Sequence, residues 1–177
     1  AIPRSALQGV GPEAVLLPTL GSGLFHGLSF TVHRGGRDWT ASFCVEAVEY
    51  LQDRLLVRAN DPITRLALEI ELVLPSDGDV LATRFRLTNL SHEAPFELQR
   101  LASGVFLLPE TATELLAFKG LWAREFATER FLLPMGGWSV ESRRGRSSHD
   151  RSPALIVGTP GFGEEHGDVF GFHLGWS

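Results

Sequence analysis

The chain alternates. Leu66, Leu68, Ile70, Leu72 and Leu74 take turns with Ala67, Glu69, Glu71 and Val73, the pattern of a strand with one face buried. Pro75-Ser-Asp-Gly-Asp79 then offers turn residues, with Asp77-Gly78 at the tip. The return strand is 80–89, where Leu81, Thr83, Phe85 and Leu87 oppose Ala82, Arg84, Arg86 and Thr88. Phe43, Val45, Ala47 and Glu49 alternate with Cys44, Glu46, Val48 and Tyr50, and 55–57 reads as the next strand. Further strands are expected over 96–108 (with Gly104 as a bulge), 115–118, 122–131, 138–141, 154–157 and 169–176. Gly35-Gly36 links Thr31-Val-His33 to Trp39, and Gly158-Thr-Pro-Gly-Phe-Gly163 reads as a hairpin connection. The only helical feature is a short turn over 11–17. Turn residues at a spacing of about 8–12 residues predict an all-β fold, one domain of two packed antiparallel sheets.

Bulk properties narrow the function classes. The length of 177 residues suits one domain with a substantial core, and an apolar share of 44% argues against a disordered chain. The net charge is −5, so no excess of positive charge awaits nucleic acid or an anionic membrane. Cys44 is the single cysteine. It allows no intrachain disulfide and no multi-cysteine zinc site. The N-terminal Ala-Ile-Pro-Arg lacks a signal pattern, and no apolar run approaches the ~20 residues of a membrane helix. The cytoplasm is the expected location. Six histidines are scattered without tight metal-ligand spacing, so no metal and no cofactor are expected.

The densest chemistry lies in Trp138-Ser-Val-Glu-Ser-Arg-Arg-Gly-Arg-Ser-Ser-His-Asp150. Arg143, Arg144 and Arg146 fall within four positions, and His149-Asp150 follows. Such a cluster between β-like segments reads as a docking or ligand-facing loop, or as a solvated charged turn. Glu125, Glu141 and Asp150 are expected to pair with the arginines, whose planar forks match carboxylates. His149 and Asp150 are adjacent, so on a strand they point to opposite faces and make a poor catalytic dyad. Ser147-Ser148 lacks the strand–elbow–helix setting of a nucleophile.

Four segments together carry a resemblance. They are Trp122-Ala-Arg-Glu125, Gly137 to Asp150 with its Arg-Arg-Gly-Arg core, Pro153-Ala-Leu-Ile-Val-Gly158, and Gly171-Phe-His-Leu-Gly-Trp-Ser177. In order and spacing this resembles the N-terminal domain of microbial α-galactosidases of glycoside hydrolase family 36. Members usually read Glu-Asn-Arg-Arg-Gly-Arg-Thr where this chain has Glu141-Ser-Arg-Arg-Gly-Arg-Ser147.

The resemblance implies a β-supersandwich of galactose-mutarotase-like topology. It implies that 1–177 is a front domain severed from a C-terminal catalytic (β/α)8 barrel. The whole enzyme would hydrolyse terminal α-galactosides with retention, using two aspartates of the barrel, so no catalytic residue is carried over to this chain. The partners implied are that barrel, further copies of the subunit and the α-galactoside. Trp122, Arg124, Glu125, Trp138, Glu141, Arg143, Arg144, Arg146, His149 and Asp150 are the domain-interface candidates. In oligomeric members the front domain of one subunit helps enclose the active site of another, through a segment that precedes the long hairpin. Its counterpart here is the short stretch 21–39, so Asp38 and Trp39 are the substrate-contact candidates. Trp39, Trp122, Trp138 and Trp176 can each stack on a sugar ring or pack in a core or interface. Two other readings stand beside this one. One is a freestanding carbohydrate-binding sandwich; the other is a mutarotase- or epimerase-like enzyme using a His–Glu pair.

Overall fold

A computed structural model describes residues 16–20, 29–92, 95–141 and 151–175. Among the described residues ten strands form: β1 (Phe30–His33), β2 (Cys44–Tyr50), β3 (Arg54–Asp61), β4 (Leu66–Val73), β5 (Ala82–Asn89), β6 (Glu97–Leu101), β7 (Glu114–Leu121), β8 (Arg124–Leu132), β9 (Arg151–Gly158) and β10 (Val169–His173). All pair antiparallel, in sheets ordered β1-β6, β2-β3-β4-β5 and β10-β9-β7-β8. No α-helix occurs among the described residues; of the helical turn expected over 11–17, residues 16–17 form a bend and 11–15 lie outside the described residues. The chain divides into two compact units, Ala1–Leu107 and Leu108–Ser177.

In the first unit the expected hairpin is β4–β5. Leu68 faces Leu87, Ile70 faces Phe85 and Leu72 faces Thr83. Leu66 and Leu68 then bury against Phe30 and Val32 of β1, with Leu17 and Ala41 completing the core. Phe43 packs edge-on to Phe30, ring centres 5.6 Å apart. The opposite face of this sheet is charged. Arg58 pairs with both Glu49 and Glu69, Glu69 also with Arg86, and Glu71 lies between Arg54 and Arg84. These rows of alternating charge suit a solvated face, where screening keeps the contribution of each pair small.

Three expected strands differ. In β2 the register slips between Val45 and Ala47. This bulge puts Val48 and Tyr50 opposite Val57 and Leu55, on the face that Val45 shares with Ala59. The strand expected over 96–108 stops at Leu101. Beyond it Gly104 sits at φ 138°, and a Cβ there would stand 3.0 Å from the Phe106 ring. That backbone leaves the ladder instead of bulging it. Residues 138–141 form no strand.

The second unit is built on β7. Leu115, Ala117 and Val157 are buried, with Leu155, Phe131, Trp138, Phe170 and Phe172 packed around them. The connection from β9 to β10 is the expected glycine-rich turn. Thr159 N–H donates to the Asp168 carbonyl at 3.0 Å, and Gly163 N–H to that of His166 at 2.9 Å. Glu114 clamps it from β7, accepting from Gly161 N–H at 2.7 Å and from Arg130 at 2.6 Å. The Gly161 N–H, then the Arg130 guanidinium, hold this carboxyl below its ordinary range. Gly167 has φ 91°, and a Cβ there would approach Phe162 Cβ and Thr159 Oγ1 to 2.8 Å. Gly167→Ala is therefore expected to destabilise the unit by about 1–3 kcal/mol through backbone strain. Urea denaturation measures this, and an unchanged midpoint would contradict it.

Candidate functional site

One cleft of about 480 Å³ opens in the first unit, between segments 36–44 and 61–64. Asp38 and Trp39, the two substrate-contact candidates, both line it. The local sequence explains how they come to stand there. Arg34 and Arg37 exchange both backbone hydrogen bonds, at 2.8 and 3.0 Å, around Gly35 and Gly36. Those glycines have φ of 56° and 77°, the signature of a tight hairpin turn with both central residues left-handed. Asp38 follows at φ 60°, a conformation aspartate tolerates better than most residues. The chain is thereby swung outward, and Trp39 is left 61% exposed at the cleft.

The opposite wall is the turn after β3, and Asp61 organises it. Its Oδ1 accepts from the N–H groups of Ile63 at 2.8 Å and Thr64 at 3.2 Å, while its Oδ2 accepts from Ser42 N–H at 2.9 Å. Asp61 is only 3% exposed. Burial is the largest single influence on its carboxyl and pushes the pKa up. The bonds from the Ser42 N–H, the Thr64 side chain and the Ile63 and Thr64 N–H groups together outweigh it and hold the pKa below the ordinary value of 3.8. Asp61 is thus a fixed anion with both oxygens occupied, tying the 36–44 wall to the 61–64 wall. Its role was not read from the sequence. The signal was there in Asp61-Pro-Ile-Thr64, where an aspartate bonds its own backbone two and three residues on.

Arg34 crosses the same gap. Its Nη1 donates to Asp38 Oδ2 at 3.4 Å and its Nη2 to the Thr64 carbonyl at 3.3 Å. Its guanidinium lies 4.1 Å from the centre of the Phe96 ring. Cys44, Pro62 and the strongly exposed Ile63 also line the cleft. The surface is an indole face beside an ionisable carboxylate, which suits a polyhydroxylated ligand.

The described domain-interface candidates belong to the second unit. Trp122 is in the two-residue turn of the β7–β8 hairpin, where Leu121 pairs with Arg124. Glu125 Oε1 accepts from Ala123 N–H at 2.8 Å and closes that turn. Leu121, Trp122 and Phe126 are all exposed around it. Trp138 is half-buried and packs on Phe131, ring centres 5.6 Å apart. Glu141 is exposed. Arg143, Arg144, Arg146, His149 and Asp150 lie outside the described residues, as does Trp176.

The fold defines a class first: an all-β module of antiparallel sheets with an open, aromatic-flanked cleft. Residues 6–177 match the Glycosyl hydrolase family 36 N-terminal domain, and the chain belongs to that family. An α-galactosidase of Escherichia coli is 42% identical over 157 residues, which cover 88% of this chain and 22% of that protein. The crystal structure of an α-galactosidase from Lactobacillus brevis superposes with a TM-score of 0.79 at 28% identity, over 90% of this chain and 24% of that one. A variant of the Geobacillus stearothermophilus α-galactosidase AgaA, solved in complex with stachyose, shares the fold with a TM-score of 0.78 at 21% identity, over 88% and 24%. The chain thus spans about a quarter of the length of these relatives or a little less.

Proposed function

We propose that this chain is the non-catalytic N-terminal domain of an α-galactosidase, packing on a catalytic barrel and supporting oligomerisation. The whole protein releases terminal α-linked galactose with retention. The observation that carries this reading is the family match over nearly the entire chain, with an α-galactosidase, of which the match covers 22%, as a 42% identical relative. Retaining glycoside hydrolysis needs a proton-donating carboxyl and a nucleophilic carboxylate flanking one bond. Asp61 suits neither role, because it is buried and both its oxygens are engaged by Ser42, Ile63 and Thr64. The exposed Trp122 hairpin tip, with Arg143, Arg144 and Arg146, is proposed to meet the barrel, since Trp and Arg supply much of interface energy. The exposed thiol of Cys44 suits a reducing compartment, and the cytoplasm is proposed.

The test is hydrolysis of p-nitrophenyl α-galactoside. The full polypeptide is expected to turn it over and residues 1–177 alone are not. Release of nitrophenol by the isolated chain at a rate near that of the full protein would sink the reading. Within the same enzyme, Trp39 is proposed to reach the sugar. Trp39→Ala is expected to raise KM for raffinose by about three- to tenfold, the equivalent of one aromatic contact. Equal KM values for variant and parent would remove Trp39 from the site.

A further inference from the structure

We infer that Arg34 is the positioning residue that fixes Asp38 and Trp39 at the cleft. The inference rests on the proposed reading of Asp38 and Trp39 as sugar contacts. Three observations carry it. The guanidinium spans the gap between the two walls, bonding the Asp38 carboxylate on one side and the Thr64 carbonyl on the other. It lies over the Phe96 ring, and its own side chain is only 21% exposed. Its Nε is buried and bonds nothing among the described residues, so the group is held by its two terminal nitrogens and the ring, all of which serve the cleft.

The backbone makes such a brace necessary. Gly35, Gly36 and Asp38 are all left-handed, and the first two carry no side chain to hold the turn in place. The turn is closed at Arg34 and Arg37 by backbone bonds, but neither of those bonds fixes the segment beyond Arg37. The Arg34–Asp38 contact tethers that segment at Asp38, as the Asp61–Ser42 bond does at Ser42, and the Thr64 contact refers it to the wall that Asp61 organises. Both partners are oxygens placed on different segments. A planar fork can hold them together, whereas a lysine ammonium on a flexible stem meets them as a point charge. Arg34 does not line the cleft itself, so it acts on a ligand only through Asp38 and Trp39.

The experiment uses the full polypeptide with Arg34→Lys, Asp38→Asn and the double variant. Arg34→Lys keeps the charge and most of the packing on Phe96, so folding is preserved where Arg34→Ala risks losing it. Two readouts are taken. Hydrogen exchange by mass spectrometry of peptides spanning 35–42 is expected to rise in Arg34→Lys, with peptides from β7–β8 unchanged. KM for raffinose is expected to rise about tenfold in Arg34→Lys and in Asp38→Asn, with kcat nearly unchanged, and the double variant is expected to match the single ones. Unchanged exchange over 35–42, or KM effects that multiply in the double variant, would overturn the positioning role. Raised exchange with KM unmoved by all three variants and by Trp39→Ala would uphold the brace and instead remove the cleft from the sugar site.

Discussion

Leu66→Ala is expected to destabilise the chain by about 2–5 kcal/mol, the range for truncating a fully buried leucine. Leu66 is 1% exposed and, with Val32, is one of the largest side chains completely enclosed. It begins β4 opposite Asp61 of β3 and Asn89 of β5, and reaches the core shared with Phe30, Val32 and Leu17. The strands on either side are fixed by their hydrogen-bond ladders, so the walls cannot move in to fill the space left behind. The comparison that gives this force is Leu74→Ala. Leu74 is the same residue in the same alternating row, but it is 55% exposed. Its removal is expected to change stability by no more than about 0.5 kcal/mol. Urea denaturation followed by tryptophan fluorescence separates the two, and equal midpoints for both variants would show that the core is misplaced.

That pair also shows what alternation reveals and what it withholds. The row Leu66 to Leu74 announces a strand and assigns its faces correctly, because period two is a property of the backbone itself. It cannot say where along the strand the core ends, since that depends on which other strand covers it. Here β1 covers the Leu66–Leu68 end. The same limit explains β2. Reading Phe43 to Tyr50 as one unbroken alternation puts Val48 and Tyr50 on the face away from Val45, and the bulge between Val45 and Ala47 reverses this. A bulge is one residue of slippage against a partner, and the partner Ala59 is distant in sequence. The turns, by contrast, were legible. Gly35-Gly36 and the 158–163 loop carry their geometry in the residues that adopt it, because only those residues accept it cheaply. Asp38 and Trp39 could be singled out by resemblance, and the structure sets both on one cleft. Their surroundings could not, since Arg34, Asp61 and Phe96 converge there from three separate segments.

Asp61→Ala is expected to cost about 2–4 kcal/mol, because it leaves backbone N–H donors without the charged acceptor they face in the folded chain. The donors are Ser42, Ile63 and Thr64. Water can reach the exposed Ser42 and Ile63, but Thr64 is buried at 3%, so the losses do not simply add. Asp61→Asn keeps the Oδ1 contacts and turns an amide NH₂ toward Ser42 N–H, so about half that cost is expected. The effect has a pH signature. The folded chain holds this carboxyl below its ordinary value of 3.8, so the folded state binds the proton less readily than the unfolded one. Its contribution is therefore complete above that value and is lost as pH falls through the depressed folded pKa. The gap in denaturation midpoint between the parent chain and Asp61→Ala is expected to hold steady from neutral pH down to about 5 and to narrow below about 4. A gap that stayed constant down to pH 2 would mean that Asp61 acts through its shape and not through its charge. The same substitution unties segment 36–44 from the turn at 61–64, so hydrogen exchange over 35–42 should rise alongside the loss of stability. The charge that holds the fold together at this point is also the charge that keeps the cleft in shape.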